Sequence, residues 1–157
     1  MSKYGYVPFW VFAAILTFGQ ISRFYECNLP RIRVEVANIY RLNEDELRSA
    51  LKIINCVRNC CAHNNRIFCT HIPTILPKTI GKSKTQIAID SACNQKFGSL
   101  LFCLSFLLSK GKFTNVIDEL SIELKKLKSE LTSIAIESVL KKMGISKGII
   151  KTFGIQI

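Results

Sequence analysis

Apolar residues recur along the chain at the three- and four-residue spacing of helices, and no run alternates with the two-residue period of a strand. Prolines, glycines and polar capping residues divide this pattern into segments. The pattern predicts an all-α fold, a helical bundle of about five to six helices, in one domain covering 1–157. The predicted helices are 8–27, 31–41, 44–64, 91–109, 115–128 and 130–143. Gly111 is expected to separate the fourth from the fifth, and Gly144 to cap the sixth.

The third predicted helix has the clearest start. Asn43 is a good N-cap, and Glu46 three residues later completes a capping box. A helical projection predicts that one apolar stripe faces the core. Arg58 projects into that stripe, where an arginine needs a bound anion, a carboxylate or the edge of a cleft. The stripe consists of Leu47, Ala50, Leu51, Ile54, Val57 and Cys61.

The opposite face of this helix carries a second cluster with little of the charge expected of a solvated surface. Asn59 and His63 are four residues apart and can interact there. One face would pack inside the fold, and we expect the other to meet a second copy of the chain. The cluster consists of Lys52, Cys56, Asn59, Cys60 and His63.

Basic residues concentrate in the middle of the chain. The formal net charge is +11, which favours polyanionic partners, and between Leu47 and Ile117 Asp90 is the sole acid. Residues 72–85 combine two prolines and a glycine with Lys78, Lys82 and Lys84, which is typical of a basic loop. A surface of this kind suits a nucleic-acid backbone.

The seven cysteines form no zinc ribbon and no C-x-x-C pair, so we expect reduced thiols in a cytoplasmic protein, without metal or cofactor. A structural zinc site is the alternative, because cysteines and histidines cluster between positions 56 and 71. The candidate ligands are Cys56, Cys60, Cys61, His63, Cys69 and His71.

Two apolar segments resemble membrane elements. Val7 to Gly19 and Phe97 to Leu108 are 13 and 12 residues long, too short to span a bilayer. Both are expected to form buried helices, with no membrane partner. A small membrane-associated protein is the alternative.

The run Arg58-Asn59-Cys60-Cys61-Ala62-His63 fits the signature of HEPN ribonucleases: an arginine, a polar residue, then a histidine. Other short segments resemble, in the same order, the abortive-infection (Abi) family, particularly the C-terminal part of its members. The chain is therefore expected to be an N-terminally short, HEPN-like relative. These segments are Pro8-Phe9-Trp10, Phe18-Gly19, Arg66 and Met143-Gly144.

The resemblance implies a metal-independent RNA endonuclease that acts in phage defence and leaves 2′,3′-cyclic phosphate ends. Arg58 would clamp the phosphate, His63 would transfer protons, and Asn59 would orient the ring or hold the phosphate. Arginine and histidine would meet across a homodimer cleft, because an ideal helix separates them by about 140°. RNA would bind to Arg66 and to the three loop lysines, and an antitoxin or regulatory RNA would be a further partner.

Three positions depart from the family pattern. Ala14 stands where a glutamate often follows the tryptophan, and Phe68 and Cys69 replace a tryptophan and an asparagine. The alternative function is therefore a catalytically inactive or truncated HEPN-like module for RNA binding or dimerisation.

Overall fold

The computed structural model describes residues 7–81 and 87–157. These residues are mostly helical, as predicted, but they form eight α-helices instead of five or six. The helices are α1 (Phe9–Ile15), α2 (Phe18–Cys27), α3 (Pro30–Ile39), α4 (Glu44–Ala62), α5 (Phe97–Leu107), α6 (Lys110–Glu130), α7 (Ile136–Met143) and α8 (Lys147–Phe153).

The predicted first helix is split into α1 and α2 at Leu16 and Thr17. The Thr17 hydroxyl accepts a hydrogen bond from the Gln20 backbone N–H, and the Gln20 side chain accepts one from the Thr17 N–H. This capping box stabilises a new helix start inside an apolar run. The expectation of one continuous helix was therefore wrong.

Further boundaries differ from the prediction: α6 continues to Glu130, and α7 begins only at Ile136. A short 3-10 helix, Ser91–Cys93, precedes α5. Gly111 does not end a helix, because it lies in the first turn of α6 and the break falls at Leu108 and Ser109. The last helix, α8, was not predicted; it begins where the Ser146 hydroxyl accepts a hydrogen bond from the Ile149 N–H.

The two apolar segments have different environments. α5 contains fully buried residues, among them Phe102 and Cys103, as expected. α1 contains no buried residue, and Trp10 is 74% exposed, so the expectation that this segment is buried was wrong. Across 7–81 and 87–157, none of the helices has the length and apolarity that crossing a bilayer requires.

The central helix is α4, which packs against α2, α3 and α5. Leu47, Ala50 and Val57 are buried as predicted. Ile53 is also buried, whereas the predicted core residue Cys61 is exposed. The buried stripe is thus rotated from Ile54 toward Ile53, because the neighbouring helices determine which side is covered.

Two short paired strands, which the sequence did not indicate, lie within and just after the predicted basic loop. β1 (Thr79–Ile80) pairs antiparallel with β2 (Ile87–Ala88). The segment before β1 is held against the start of α5, since the Asn94 side chain bonds both the N–H and the carbonyl of Leu76.

The start of α5 and the end of α7 approach each other at two glycines. A Cβ on Gly98 would lie 2.2 Å from the Gly144 carbonyl oxygen. Gly144 caps α7 in the left-handed region, with φ 73°, as predicted for a helix C-terminus. Because no side chain separates the backbones, Lys96 and the last turn of α7 lie on one surface.

Candidate functional site

The Arg58…His63 motif occupies the C-terminal end of α4. Asn64 adopts φ 52°, and the N–H of Asn65 bonds the Cys60 carbonyl at 2.8 Å. The N–H of Asn64 bonds the Cys61 carbonyl at 3.1 Å, which completes a Schellman arrangement. The helix therefore ends between Arg58 and His63, close to the predicted end at position 64.

Arg58 is exposed, so its expected place inside the core stripe was wrong. It follows the buried Val57 by one residue and therefore points about 100° away from it. Its Nη1 donates a hydrogen bond of 3.1 Å to Oδ1 of Asn59. The guanidinium is thus open to solvent, and the hydrogen bond to Asn59 orients it.

His63 is exposed immediately after the last turn of α4. Its backbone N–H bonds the Asn59 carbonyl at 3.1 Å, but within the described ranges no side chain is hydrogen-bonded to its ring. The structure therefore joins Asn59 to Arg58, whereas it gives no side-chain bond between His63 and either residue. Arg66 is also exposed, and its carbonyl accepts a hydrogen bond from the Thr70 hydroxyl.

The face of α4 that we expected to meet a second copy is partly covered by α2. Nζ of Lys52 lies 2.9 Å from Oε1 of Glu26. The hydrogen bond from Lys52 lowers the pKa of the Glu26 carboxyl, against the opposing effect of burial. Asn55 packs on Gly19 farther along the helix, where an added Cβ would lie 3.2 Å from Oδ1.

The cysteines do not assemble with the histidines. In the part of the chain that the structure describes, no three side chains of His, Cys, Asp or Glu are placed to hold a metal ion. All seven cysteines are unpaired thiols. Burial raises the pKa of Cys56, with its neighbour Cys60 adding to the effect, and raises that of Cys93 to about 12.

Lys78 is the one predicted loop lysine among the described residues. Lys78 is exposed just before β1, and its carbonyl accepts a 2.8 Å hydrogen bond from the Ile89 N–H. Lys82 and Lys84 lie outside the described residues.

A second basic surface, which the sequence analysis missed, lies beyond the motif. It is a groove of about 720 Å³ between the segment after Arg66 and the last turn of α7. Nζ of Lys142 lies 5.8 Å from the centre of the Phe68 ring. The adjacent Lys141 and Lys142 were the one sequence signal for this basic surface. The residues that complete it, at 68–71 and 95–96, are distant in sequence. The groove is lined by Phe68, Cys69, Thr70, His71, Gln95, Lys96, Ser138, Lys141 and Lys142.

Residues 1–69 match the family model described as Abi-like protein. The match supports the abortive-infection family for this part of the chain. It includes Arg58, Asn59, His63 and Arg66 and ends before the Met143-Gly144 segment. No curated protein and no solved structure matches the chain significantly.

Proposed function

We propose that this protein is a metal-independent RNA endonuclease of the HEPN type that acts in abortive infection. The observation that carries the proposal is the exposed end of α4. Arg58, bonded to Asn59, and His63 are both accessible there, and both lie within the segment that matches the Abi-like family.

The residue types suit cleavage through the RNA 2′-hydroxyl. His63 accepts the hydroxyl proton, or protonates the leaving 5′-oxygen, since a histidine titrates near neutral pH. The 2′-oxygen forms a bond to phosphorus as the bond to the 5′-oxygen breaks, which leaves a 2′,3′-cyclic phosphate. Arg58 stays charged and neutralises the developing negative charge on the phosphate. Asn59 acts as a positioning residue, because it holds the guanidinium.

The active unit in this proposal is a homodimer in which each cleft takes Arg58 from one chain and His63 from the other. Lys52 is already paired with Glu26 in the same chain. The contact with the second copy therefore involves the last turn of α4, around Asn59 and His63. Arg66 binds the RNA backbone beside this cleft. Lys78 follows a segment that packs on the start of α4, because the Gly81 N–H bonds the Glu46 carboxylate. Lys78, Lys82 and Lys84 therefore bind the backbone farther along the strand, away from the cleft.

The test is incubation of the purified full chain with single-stranded RNA, with and without EDTA. Cleavage should survive EDTA and leave cyclic phosphate ends. His63→Ala should slow it by about 10²–10⁴-fold if the ring does acid–base work, and Arg58→Ala comparably. Cys60→Ser, on the same turn, is the matched control and should keep nearly full activity.

Three results would contradict the proposal: 5′-phosphate products, loss of cleavage in EDTA, or unchanged rates in both motif variants. A folded dimer that cleaves none of the RNAs would favour the inactive RNA-binding module. Light scattering at tens of micromolar decides whether the dimer forms, since a standard-size interface should hold in roughly that range.

A further inference from the structure

We propose that the groove between Phe68 and Lys142 binds a nucleotide of single-stranded RNA, with its base on the Phe68 ring and its flanking phosphates on Lys96, Lys141 and Lys142. This inference rests on the proposed function, because it identifies where the RNA strand runs beyond the Arg58…His63 cleft.

The Phe68 ring is accessible in the groove. Phe68 remains 37% exposed, whereas the adjacent Ile67 packs against the core. The Lys142 ammonium lies 5.8 Å from the Phe68 ring centre. Because the ammonium lies over one face of the ring, the base stacks on the other face and a flanking phosphate pairs with the cation, a combination that single-stranded nucleic-acid sites use.

The groove is positively charged. The residues that line the groove include three lysines and no acid. Lys96 is half-buried, and its Nζ donates to the Lys141 carbonyl at 3.4 Å; in the described structure none of these lysines forms an ion pair. Glu137, the acid of α7, lines the adjoining cavity, which Lys96 and Lys141 also border, but within 7–81 and 87–157 it forms no ion pair with either lysine. Three lysines against this one acid leave an excess of positive charge, which favours a polyanion.

The groove has the size and the hydrogen-bonding groups that a nucleotide needs. A volume of about 720 Å³ lies within the range of small-molecule sites, so a nucleotide fits. Nε2 of Gln95 lies 3.4 Å from Nε2 of His71. These two side chains, with Thr70 and Ser138, offer donors and acceptors to the base edge and the 2′-hydroxyl.

The walls of the groove are held together by contacts within the chain. The N–H of Ile72 bonds the Gln95 carbonyl at 2.8 Å, which fixes one wall to the other. The Gly98–Gly144 approach fixes Lys96 beside the end of α7. A preorganised site of this kind spends little of its binding free energy on ordering. Phe68 also follows His63 closely in the chain, so one strand can reach both.

The experiment measures binding by fluorescence anisotropy in the full chain carrying His63→Ala, so that cleavage does not consume the probe. The probe is a labelled single-stranded RNA oligonucleotide. On that background, Phe68→Leu should weaken binding about 5- to 100-fold, because leucine keeps the apolar contact and loses the stacking. Lys142→Gln should weaken binding and should also reduce, by about 0.7, the slope of the logarithm of the binding constant against the logarithm of the salt concentration. Lys126→Gln, at an exposed lysine of α6 outside the groove, is the matched control.

An equal loss in the control variant, or unchanged binding in Phe68→Leu with an unaltered thermal unfolding curve, would overturn the inference. The inference would also be overturned if a free mononucleotide displaced the labelled oligonucleotide completely at an equal concentration. The ligand of the groove would then be a free nucleotide and not an RNA strand. Duplex RNA should be insensitive to Phe68→Leu. If the groove substitutions weaken binding but the unsubstituted chain cleaves no RNA, the proposed nuclease activity is contradicted and the groove site is not. If the unsubstituted chain cleaves RNA but the groove substitutions leave binding unchanged, the groove site is contradicted and the nuclease activity is not.

Discussion

The two ends of α4 are built for different purposes. At its start, Glu46 is 6% exposed, and its carboxylate accepts hydrogen bonds from the backbone N–H groups of Asn43 and Gly81. Ile53, midway along, is fully buried. At its end, Arg58 and His63 are exposed. One helix therefore anchors the fold with its first turns and presents chemical groups with its last.

The difference arises from the neighbours of α4. Tyr25 of α2 donates a hydrogen bond to the Glu44 carbonyl, and Arg33 of α3 pairs with the Glu44 carboxylate at 3.1 Å. At the other end, Asn64 turns the chain away and leaves the last turn uncovered. Burial makes polar groups costly unless they are paired, so the uncovered end is where an arginine and a histidine can remain available.

The largest expected contrast in stability is between Ile53 and Arg58. Ile53→Ala should lower the free energy of unfolding by about 2–5 kcal/mol, because it leaves a cavity in a fully buried position. Arg58→Ala should change it by less than about 0.5 kcal/mol, because the side chain is exposed. Urea unfolding followed by circular dichroism measures both. Equal losses would mean that the arginine supports the fold, and the two ends would no longer differ.

The next contrast concerns the N-terminal cap. Asn43→Ala should cost about 0.5–2 kcal/mol, since its side chain accepts a 2.8 Å hydrogen bond from the Glu46 N–H. Ser109→Ala is the control, because Ser109 precedes α6 without a side-chain capping bond. The same unfolding measurement applies. A loss at Ser109 as large as that at Asn43 would show that the capping bond is not what stabilises the start of α4.

The smallest effect is expected at the C-terminal end. Asn64→Gly should change the free energy of unfolding by only a few tenths of a kcal/mol, because glycine adopts the left-handed conformation readily. Asn64→Ala should cost about 1 kcal/mol. The proposed RNA cleavage should be equal in the glycine variant and the unsubstituted chain, because the helix end keeps its shape. Greater stability in Asn64→Ala than in Asn64→Gly would rule out this account of the helix end.

The sequence predicted the start of α4 well, because Asn43 and Glu46 form a local capping signal that depends on no distant residue. Gly144 was correctly predicted as a cap for the same reason. The Thr17 cap was missed because it lies inside an apolar run that reads as one helix. The rotation of the buried stripe toward Ile53 could not be predicted, since it depends on where α2, α3 and α5 pack.

In the candidate site, too, local features could be predicted from the sequence, and features that depend on packing could not. The Arg58…His63 spacing is local and therefore visible in the sequence. The exposure of Arg58 depends on the packing around Val57, and the projection placed it wrongly. The groove beyond the motif was not foreseen, because Phe68, Lys96 and Lys142 meet only after α5 and α7 pack together.

The contact between Gly98 and Gly144 has a consequence for sequence divergence. A methyl group at position 98 would overlap a backbone carbonyl, and one at 144 would also require an unfavourable backbone conformation. Neither position can therefore drift by single substitutions while the helices stay in place. Relatives that keep this crossing should carry glycine at both positions. In relatives that lose Gly98 the groove lysines should diverge with it, whereas glycine at 144 should persist, because it also ends α7 in the left-handed conformation.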